Sequence, residues 1–281
     1  MMKIFKEPAK LQKWAEQRRM AGKRIALVPT MGYLHEGHLS LIAAAKKKGA
    51  DEIVVSIFVN PIQFGPREDY ARYPRDERSD LAKCRAAGAT AVFFPAPDNM
   101  YAKDHSVFVD EKELGKTLCG ARRPGHFRGV CTVVAKLFNL AKPHFAVFGQ
   151  KDYQQQAIVR RMVRDLNFDV KIVVAPIVRE DTGLARSSRN TYLSDEDRPK
   201  ALALSAALAD LQRDVRREGD LEWRPRRTMI IRELREKGLN VDYVEAVEAE
   251  SLKPVDTLEK GNVVLLAVYC GGTRLIDNAI M

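Results

Sequence analysis

The sequence predicts an α/β fold: a parallel sheet covered by helices over residues 1–182, followed by a smaller α+β domain over 183–281. Three observations carry this prediction. Short apolar, β-branched runs alternate with helix-length amphipathic stretches through the first two thirds of the chain, the pattern of parallel strands buried on both faces. The alternation breaks at the turn signal Asp181-Thr182-Gly183 and the polar run Ser187-Ser188-Arg189-Asn190. Charge divides at the same place. Residues 183–281 hold 16 Lys/Arg and 17 Asp/Glu, and the rest of the chain holds 31 and 20.

Each element has its own justification. Residues 8–21 set Leu11, Trp14, Ala15 and Met20 among charges, which reads as a surface helix. Residues 24–30 form an apolar run ending in Pro29 and Thr30, a buried strand. A helix follows over 38–48, then a second strand over 53–59, rich in β-branched residues. Residues 74–87 read as helix and 91–94 as a strand stopped by Pro95. The run continues with a helix over 130–142, a strand over 145–148 and a helix over 153–166. That last helix packs through Ile158, Met162 and Leu166, spaced four apart, and a strand over 170–178 closes the series. In the second part, Ser194 with Asp197 three residues on resembles a capping box. The helix it opens turns Leu204, Leu208, Leu211 and Val215 to one face. A helix over about 225–237 then precedes strands at 241–247, 263–269 and 273–276.

Composition narrows the class. At 46% hydrophobic and 30% charged residues, the 281-residue chain reads as an ordinary globular protein. No apolar run approaches the roughly 18 residues that a membrane helix needs. The start, Met1-Met2-Lys3-Ile4-Phe5-Lys6, has no apolar core of a secretory signal. Cys84, Cys119, Cys131 and Cys270 lie far apart with no C-x-x-C pair, which fits a reducing cytoplasm and disfavours disulfides or structural zinc. The net charge of +10 attracts anions, whether nucleotides, carboxylates or a nucleic-acid backbone, and does not choose among them.

The segment richest in chemistry is Pro29-Thr30-Met31-Gly32-Tyr33-Leu34-His35-Glu36-Gly37-His38, where the first long strand passes into a helix. In an open parallel sheet, ligands bind at that end of the strands. Gly32 and Gly37 let backbone approach a ligand, and His38 falls at a helix start whose N–H groups attract phosphate. Two imidazoles there can donate to phosphoryl oxygens as charge develops. Taken alone, H-x-x-H also reads as a metal pair or as two surface histidines. Asn60 and Gln63 follow the second strand, and an amide suits a substrate carrying hydroxyls and a carboxylate. Asn60-Pro61 is equally good turn chemistry. Lys151 places a point charge where phosphates bind, and Asp152 with Gln155 is also a capping pattern. Ser187-Ser188-Arg189-Asn190 reads as a polar domain-boundary loop, and composition allows nothing further.

Together these segments resemble the nucleotidyltransferase superfamily with its H-x-G-H signature. Within it they resemble the pantothenate synthetase (pantoate–β-alanine ligase) family. The further matches are Asn60-Pro61-Ile62-Gln63-Phe64, Arg123-Pro124-Gly125-His126-Phe127, Phe148-Gly149-Gln150-Lys151-Asp152-Tyr153-Gln154-Gln155 and Gly183-Leu184-Ala185-Arg186-Ser187-Ser188-Arg189-Asn190. The resemblance runs from residue 24 to about 215 and is weaker beyond. It implies a Rossmann-like ATP- and pantoate-binding domain at 1–182 and a lid domain at 183–281. It also implies ATP-dependent joining of D-pantoate and β-alanine through a pantoyl adenylate, with Mg2+ on the phosphates. The implied ATP contacts are Met31, Gly32, Tyr33, Leu34, His35, Glu36, Gly37, His38, Gly149, Gln150, Lys151, Asp152, Val178, Arg186, Ser187, Ser188 and Arg189. His38 takes the proton-donor role, Gln63, Gln155 and Asn60 take the substrates, and no protein side chain is assigned to a metal. A cytoplasmic homodimer without nucleic-acid or membrane partners completes the expectation, with closure of the lid shielding the adenylate.

Two positions depart from the family pattern: Arg186 stands where Met or Leu is usual, and Gln150 where Glu is common. Rival readings are another nucleotidyltransferase, an RNA-binding module and a silent homologue. The near-neutral second domain argues against the RNA reading, because a backbone-binding domain should be basic.

Overall fold

A parallel strand flanked by helices on both sides must be apolar along its whole length, and the central strands meet that demand. The computed structural model describes every residue except Arg67. Its elements are β1 (Lys3–Phe5), α1 (Pro8–Met20), β2 (Ile25–Thr30), α2 (Glu36–Lys47), β3 (Glu52–Ile57), α3 (Glu77–Ala87), β4 (Ala91–Phe93), α4 (Pro97–Met100), α5 (Leu118–Arg122), α6 (His126–Ala141) and β5 (Phe145–Gly149). There follow α7 (Tyr153–Asp165), β6 (Lys171–Ala175), α8 (Asp197–Glu218), β7 (Leu221–Glu222), α9 (Trp223–Glu236), β8 (Asn240–Val247), β9 (Thr257–Leu258), β10 (Val263–Cys270) and β11 (Thr273–Ile280).

These elements make two compact units. The first is Met1–Gly149 with Gln155–Pro176, and the second is Gln150–Gln154 with Ile177–Met281. The sequence reading drew its boundary later, at 182/183, and left 150–154 in the first part. The turn at 181–183 instead lies inside the second unit, because Arg179 just before it is tied to Asp277 of β11 by two bonds of 2.6 and 3.0 Å.

In the first unit six parallel strands lie in the order β1-β4-β3-β2-β5-β6. β2 pairs with β3 from Ile25↔Glu52 to Thr30↔Ile57, and on its other edge with β5 at Ala26↔Phe145. The strand order reverses between β2 and β5, so the crevice beyond their carboxyl ends is where such a sheet takes a ligand. Ala26, Val28, Ile53, Val55 and Val147 pack against Leu41, Ile42 and Ala45 of α2 in one buried cluster. In the second unit β11-β10-β8 form an antiparallel sheet, and Leu204, Leu208, Leu211 and Val215 of α8 are buried in its core. All four cysteines are buried and free, and burial pushes the Cys84 and Cys131 thiols up to about 12.

Several expectations need correction. The three-residue edge strand β1 has no sequence signal of its own and exists by pairing with β4. Met20 and Leu166 are exposed, and α7 ends one residue before Leu166. The strand read over 170–178 stops at Ala175 before Pro176, which leaves Val178 outside it. β11 runs on to Ile280 because Val263 of β10 pairs with that residue. Ser194 supports α8 from outside: its hydroxyl accepts from Asp197 N–H at 3.1 Å, while Glu196 holds the N-cap position.

α6 lies against the turn at 61–63, and Gly129 makes that approach possible. A Cβ there would sit 2.4 Å from the Ile62 carbonyl oxygen and 2.6 Å from Gln63 Cα. Gly129→Ala is expected to destabilise the protein by about 1–3 kcal/mol, the usual scale of overpacking. A lower urea midpoint at unchanged m would show it, and an unchanged midpoint would contradict it.

Candidate active site

Between β2 and α2 the chain must reverse within five residues, and it does so through left-handed backbone. Gly32 has φ +85° and Tyr33 has φ +51°. Gly32 also has no room for a side chain, since a Cβ would lie 2.9 Å from both Asp80 Oδ2 and Ile57 Cγ2. The reversal exposes backbone N–H groups that need partners. Asp80 of α3, only 2% exposed, accepts from Tyr33 N–H at 2.8 Å and Leu34 N–H at 2.7 Å. Lys83, one turn along α3, donates to the Leu34 carbonyl at 2.7 Å. Thr30 closes the inner side, its hydroxyl donating to Ser56 O and accepting from Gly32 N–H. Burial raises the Asp80 pKa against the pull of these two N–H bonds and of Lys83.

This clamp delivers two histidines in a defined state. His35 is the N-cap of α2, and its Nδ1 accepts from Gly37 N–H at 3.2 Å. His38 Nδ1 accepts in turn from His35 N–H at 3.3 Å, and the ring centroids lie 4.0 Å apart. A neutral imidazole that accepts through Nδ1 carries its proton on Nε2. Both rings therefore carry their proton on Nε2, the form in which an imidazole can donate to an oxyanion. The sequence reading placed His38 at a helix start; the structure adds that the two histidines are themselves the capping box.

Asn60 and Gln63 are joined to each other through their side-chain amides. Asn60 is 1% exposed and its amide is satisfied within the protein. Its Nδ2 donates to Gln63 Oε1 at 2.9 Å and Gly129 O at 3.1 Å, while Oδ1 accepts from the Tyr101 hydroxyl at 2.8 Å. Asn60 thus orients Gln63 from within the protein. Gln63 Nε2 donates to Met31 Sδ at 3.3 Å, a weak acceptor that a better one can replace.

In the second unit, Asn278 of β11 organises the other predicted segment. Its Nδ2 donates to the carbonyls of Gln150 at 3.0 Å and Lys151 at 2.9 Å, and its Oδ1 accepts from Gln150 Nε2 at 3.2 Å. The Gln150 amide is therefore engaged with Asn278. Val178 O accepts from Arg186 N–H at 2.9 Å, so these two predicted ATP contacts are backbone neighbours. The polar boundary loop predicted at 187–190 enters a capped 3-10 turn over Ser188–Tyr192. Ser187 accepts from Arg189 N–H, and Asn190 donates to Glu180 Oε1 and to Ala185 O.

Similarity to known proteins extends over the whole chain. The family model described as pantoate-beta-alanine ligase matches residues 3–280. The chain belongs to the pantoate-beta-alanine ligase family. It is 49% identical over 281 residues to a pantothenate synthetase of Thermotoga petrophila, covering 100% of both chains. The crystal structure of pantothenate synthetase from Thermus thermophilus superposes with a TM-score of 0.90 at 41% identity, covering 99% of each chain. The pantoate-beta-alanine ligase of Francisella tularensis, solved with beta-gamma ATP and beta-alanine, gives 0.83 at 31% identity, covering 100% of this chain and 98% of that one. The parallel sheet with a smaller antiparallel α+β unit is the fold of this ligase family.

Within this ligase chain, Met31 to His38, Asn60 and Gln63 gather at one end of the first unit's sheet, and Gly149 ends β5 there. Gln155 lies half-buried in the first turns of α7. Gln150, Lys151, Asp152, Val178, Arg186, Ser187, Ser188 and Arg189 belong to the second unit. Sequence reasoning missed Asp80, Tyr101, Asp277 and Asn278, the residues that hold these groups from a distance. Asp80→Ala is expected to cost about 2–4 kcal/mol, because one buried and one partly buried N–H group lose their acceptor. Hydrogen exchange of the Tyr33 and Leu34 amides should rise with it; unchanged protection would contradict the clamp.

Proposed function

We infer that this chain joins pantoate to β-alanine with ATP, giving pantothenate, AMP and pyrophosphate through an enzyme-bound pantoyl adenylate. A pantoate carboxylate oxygen attacks the α-phosphorus, and the bond to the pyrophosphate oxygen breaks. The β-alanine amine then attacks the acyl carbon, AMP leaves with the acyl–oxygen electron pair, and the amine gives up a proton. Most of the work is positioning and charge stabilisation. The observation that supports the reading is the reciprocal capping of His35 and His38 through Nδ1 at the carboxyl end of β2, which puts the proton of each neutral ring on Nε2.

His38 is assigned the proton-donor role on the phosphoryl side, and His35, Lys151, Ser187, Ser188 and Arg189 hold the triphosphate. Gln63 and Gln155 take pantoate, with Asn60 orienting Gln63. Met31 to Gly37, Gly149, Gln150, Asp152, Val178 and Arg186 complete the nucleotide contacts. Mg2+ fits as an ion carried by the triphosphate. Among the described residues no three His, Cys, Asp or Glu side chains are grouped to cage an ion, and nucleotide-bound Mg2+ keeps phosphate oxygens and waters as ligands. When bound it lowers the repulsion between the phosphates and the incoming carboxylate. A cytoplasmic homodimer, carried over from the family resemblance, belongs to the same reading, and light scattering on the purified chain tests its oligomeric part. Among the described residues no helix is long and apolar enough to cross a membrane.

Pyrophosphate release should require pantoate and proceed without β-alanine in a single turnover; release independent of pantoate would assign the chain to another nucleotidyltransferase activity. His38→Ala is expected to lower the adenylation rate by roughly 10²–10³-fold, the scale for one donor to a developing oxyanion. Normal adenylation in that variant would remove His38 from the mechanism. Arg186→Met should raise the ATP KM several-fold, on the order of 1 kcal/mol for a partly solvated charge, with salt shrinking the difference. Equal slowing of β-alanine attack on preformed adenylate would instead assign Arg186 to loop structure.

A further inference from the structure

The Arg123-Pro124-Gly125-His126-Phe127 segment takes no part in the chemistry above, yet it carries a continuous chain of charged and polar bonds that ends on a proposed substrate residue. Glu68 receives Arg123 through both carboxylate oxygens, Nε to Oε1 at 2.9 Å and Nη2 to Oε2 at 2.5 Å. The remaining arm, Arg123 Nη1, lies 3.0 Å from His126 Nε2. A guanidinium only donates, so Nε2 is the acceptor and the imidazole proton sits on Nδ1. Nδ1 then donates to the Gln63 main-chain carbonyl at 2.8 Å. The series thus runs from carboxylate through guanidinium and imidazole to a carbonyl.

The recipient needs this support. The turn carrying Gln63 is closed by two long bonds, Gln63 N–H to Asn60 O at 3.4 Å and Phe64 N–H to Pro61 O at 3.3 Å, and neither of them engages the Gln63 carbonyl. Gly129 presses on Ile62 and Gln63 from α6, and Asn60 fixes Oε1 from one side. His126, 7% exposed at the first position of α6, supplies the side-chain donor to the Gln63 carbonyl. Arg123 and Glu68 are themselves largely buried, with side chains 17% and 24% exposed, so the chain runs through a medium where charge-assisted bonds hold well. Burial raises the Glu68 pKa, but the Arg123 bond and charge outweigh it and hold the carboxylate below its ordinary range.

We propose that His126, whose proton Arg123 and Glu68 keep on Nδ1, is a positioning residue that sets the Gln63 backbone and thereby the grip of its amide on pantoate. The proposal rests on the assignment of Gln63 to pantoate. It makes His126 act on one substrate: displacement of the Gln63 carbonyl moves the amide and leaves the histidine pair on α2 in place. The two ring nitrogens have separate tasks, and two amide substitutions divide them. Asparagine places an NH2 where Nδ1 lies and has no atom at Nε2, so it keeps the bond to Gln63 O. Glutamine reaches the Nε2 position with its oxygen or nitrogen and keeps the contact to Arg123 while losing the Nδ1 donor.

The test measures pantoate KM, ATP KM and kcat for the full-length protein carrying His126→Asn, His126→Gln or Gln63→Ala, with thermal melts beside them. His126→Gln should raise pantoate KM about tenfold, as loss of one buried bond of this kind implies. ATP KM should stay within about twofold in the same variant, and His126→Asn should recover most of the loss in pantoate KM. If His126→Asn fails as badly as His126→Gln while Gln63→Ala still weakens pantoate, the relay is wrong and Gln63 keeps its role. If Gln63→Ala leaves pantoate KM unchanged, the assignment of Gln63 falls and the relay with it. A purely structural role would lower the melting temperature of both His126 variants and shift both substrates' KM together, which also overturns the proposal.

Discussion

One buried carboxylate sets the geometry on which the first unit's chemistry depends. The chain between β2 and α2 has to turn back on itself through two residues of positive φ, and this leaves the N–H groups of Tyr33 and Leu34 facing inward. The Leu34 N–H is buried and the Tyr33 N–H partly so, and Asp80 takes both. A shorter or longer side chain would not reach from α3 at the same angle. The contact fixes where α2 begins, hence where His35 caps it and how His38 Nδ1 meets the His35 N–H. The same position denies Gly32 any side chain.

A second regularity runs through the site: some polar residues in motif positions spend their amides wholly on strong protein partners, and others do not. Asn60 and Asn278 are nearly inaccessible, and each uses its amide on protein partners. A buried amide with unmet donors is costly, so full internal satisfaction is the state that burial selects. Gln63 differs because its Nε2 partner is a thioether, a weak acceptor. Burial and hydrogen-bond inventory together separate the two classes where residue type alone does not.

Much of this was legible in the sequence. Long apolar runs such as those around Leu27 and Val54 report burial directly, so the parallel sheet and its covering helices follow from periodicity. The residues of α8 at 204, 208, 211 and 215 were equally readable, because three- and four-residue spacing is itself the helix face. The partners at long range were not readable. Asp80 lies 46 positions from Leu34, and Tyr101 lies 41 from Asn60. No local spacing encodes such pairs. β1 escaped for a related reason: three residues carry too little period, and its existence is a property of β4. The boundary at 182/183 followed the turn chemistry of Asp181 to Gly183, whereas the bonds of Arg179 to Asp277 bind that turn into the second unit.

The path of the chain has a consequence for modularity. It passes to the second unit at Gln150, returns at Gln155 and crosses again at Ile177, so the units share three covalent connections. The short excursion is the segment that Asn278 grips through two carbonyls, and Asn278 stands 128 positions further along the chain than Gln150. Neither unit is therefore a cassette. A recombination or duplication event that moved residues 177–281 alone would carry Asn278 away from the segment it holds and leave the Gln150 and Lys151 carbonyls without their donor. Gln150–Gln154 and β11 are therefore coupled, and a change in one bears on the other.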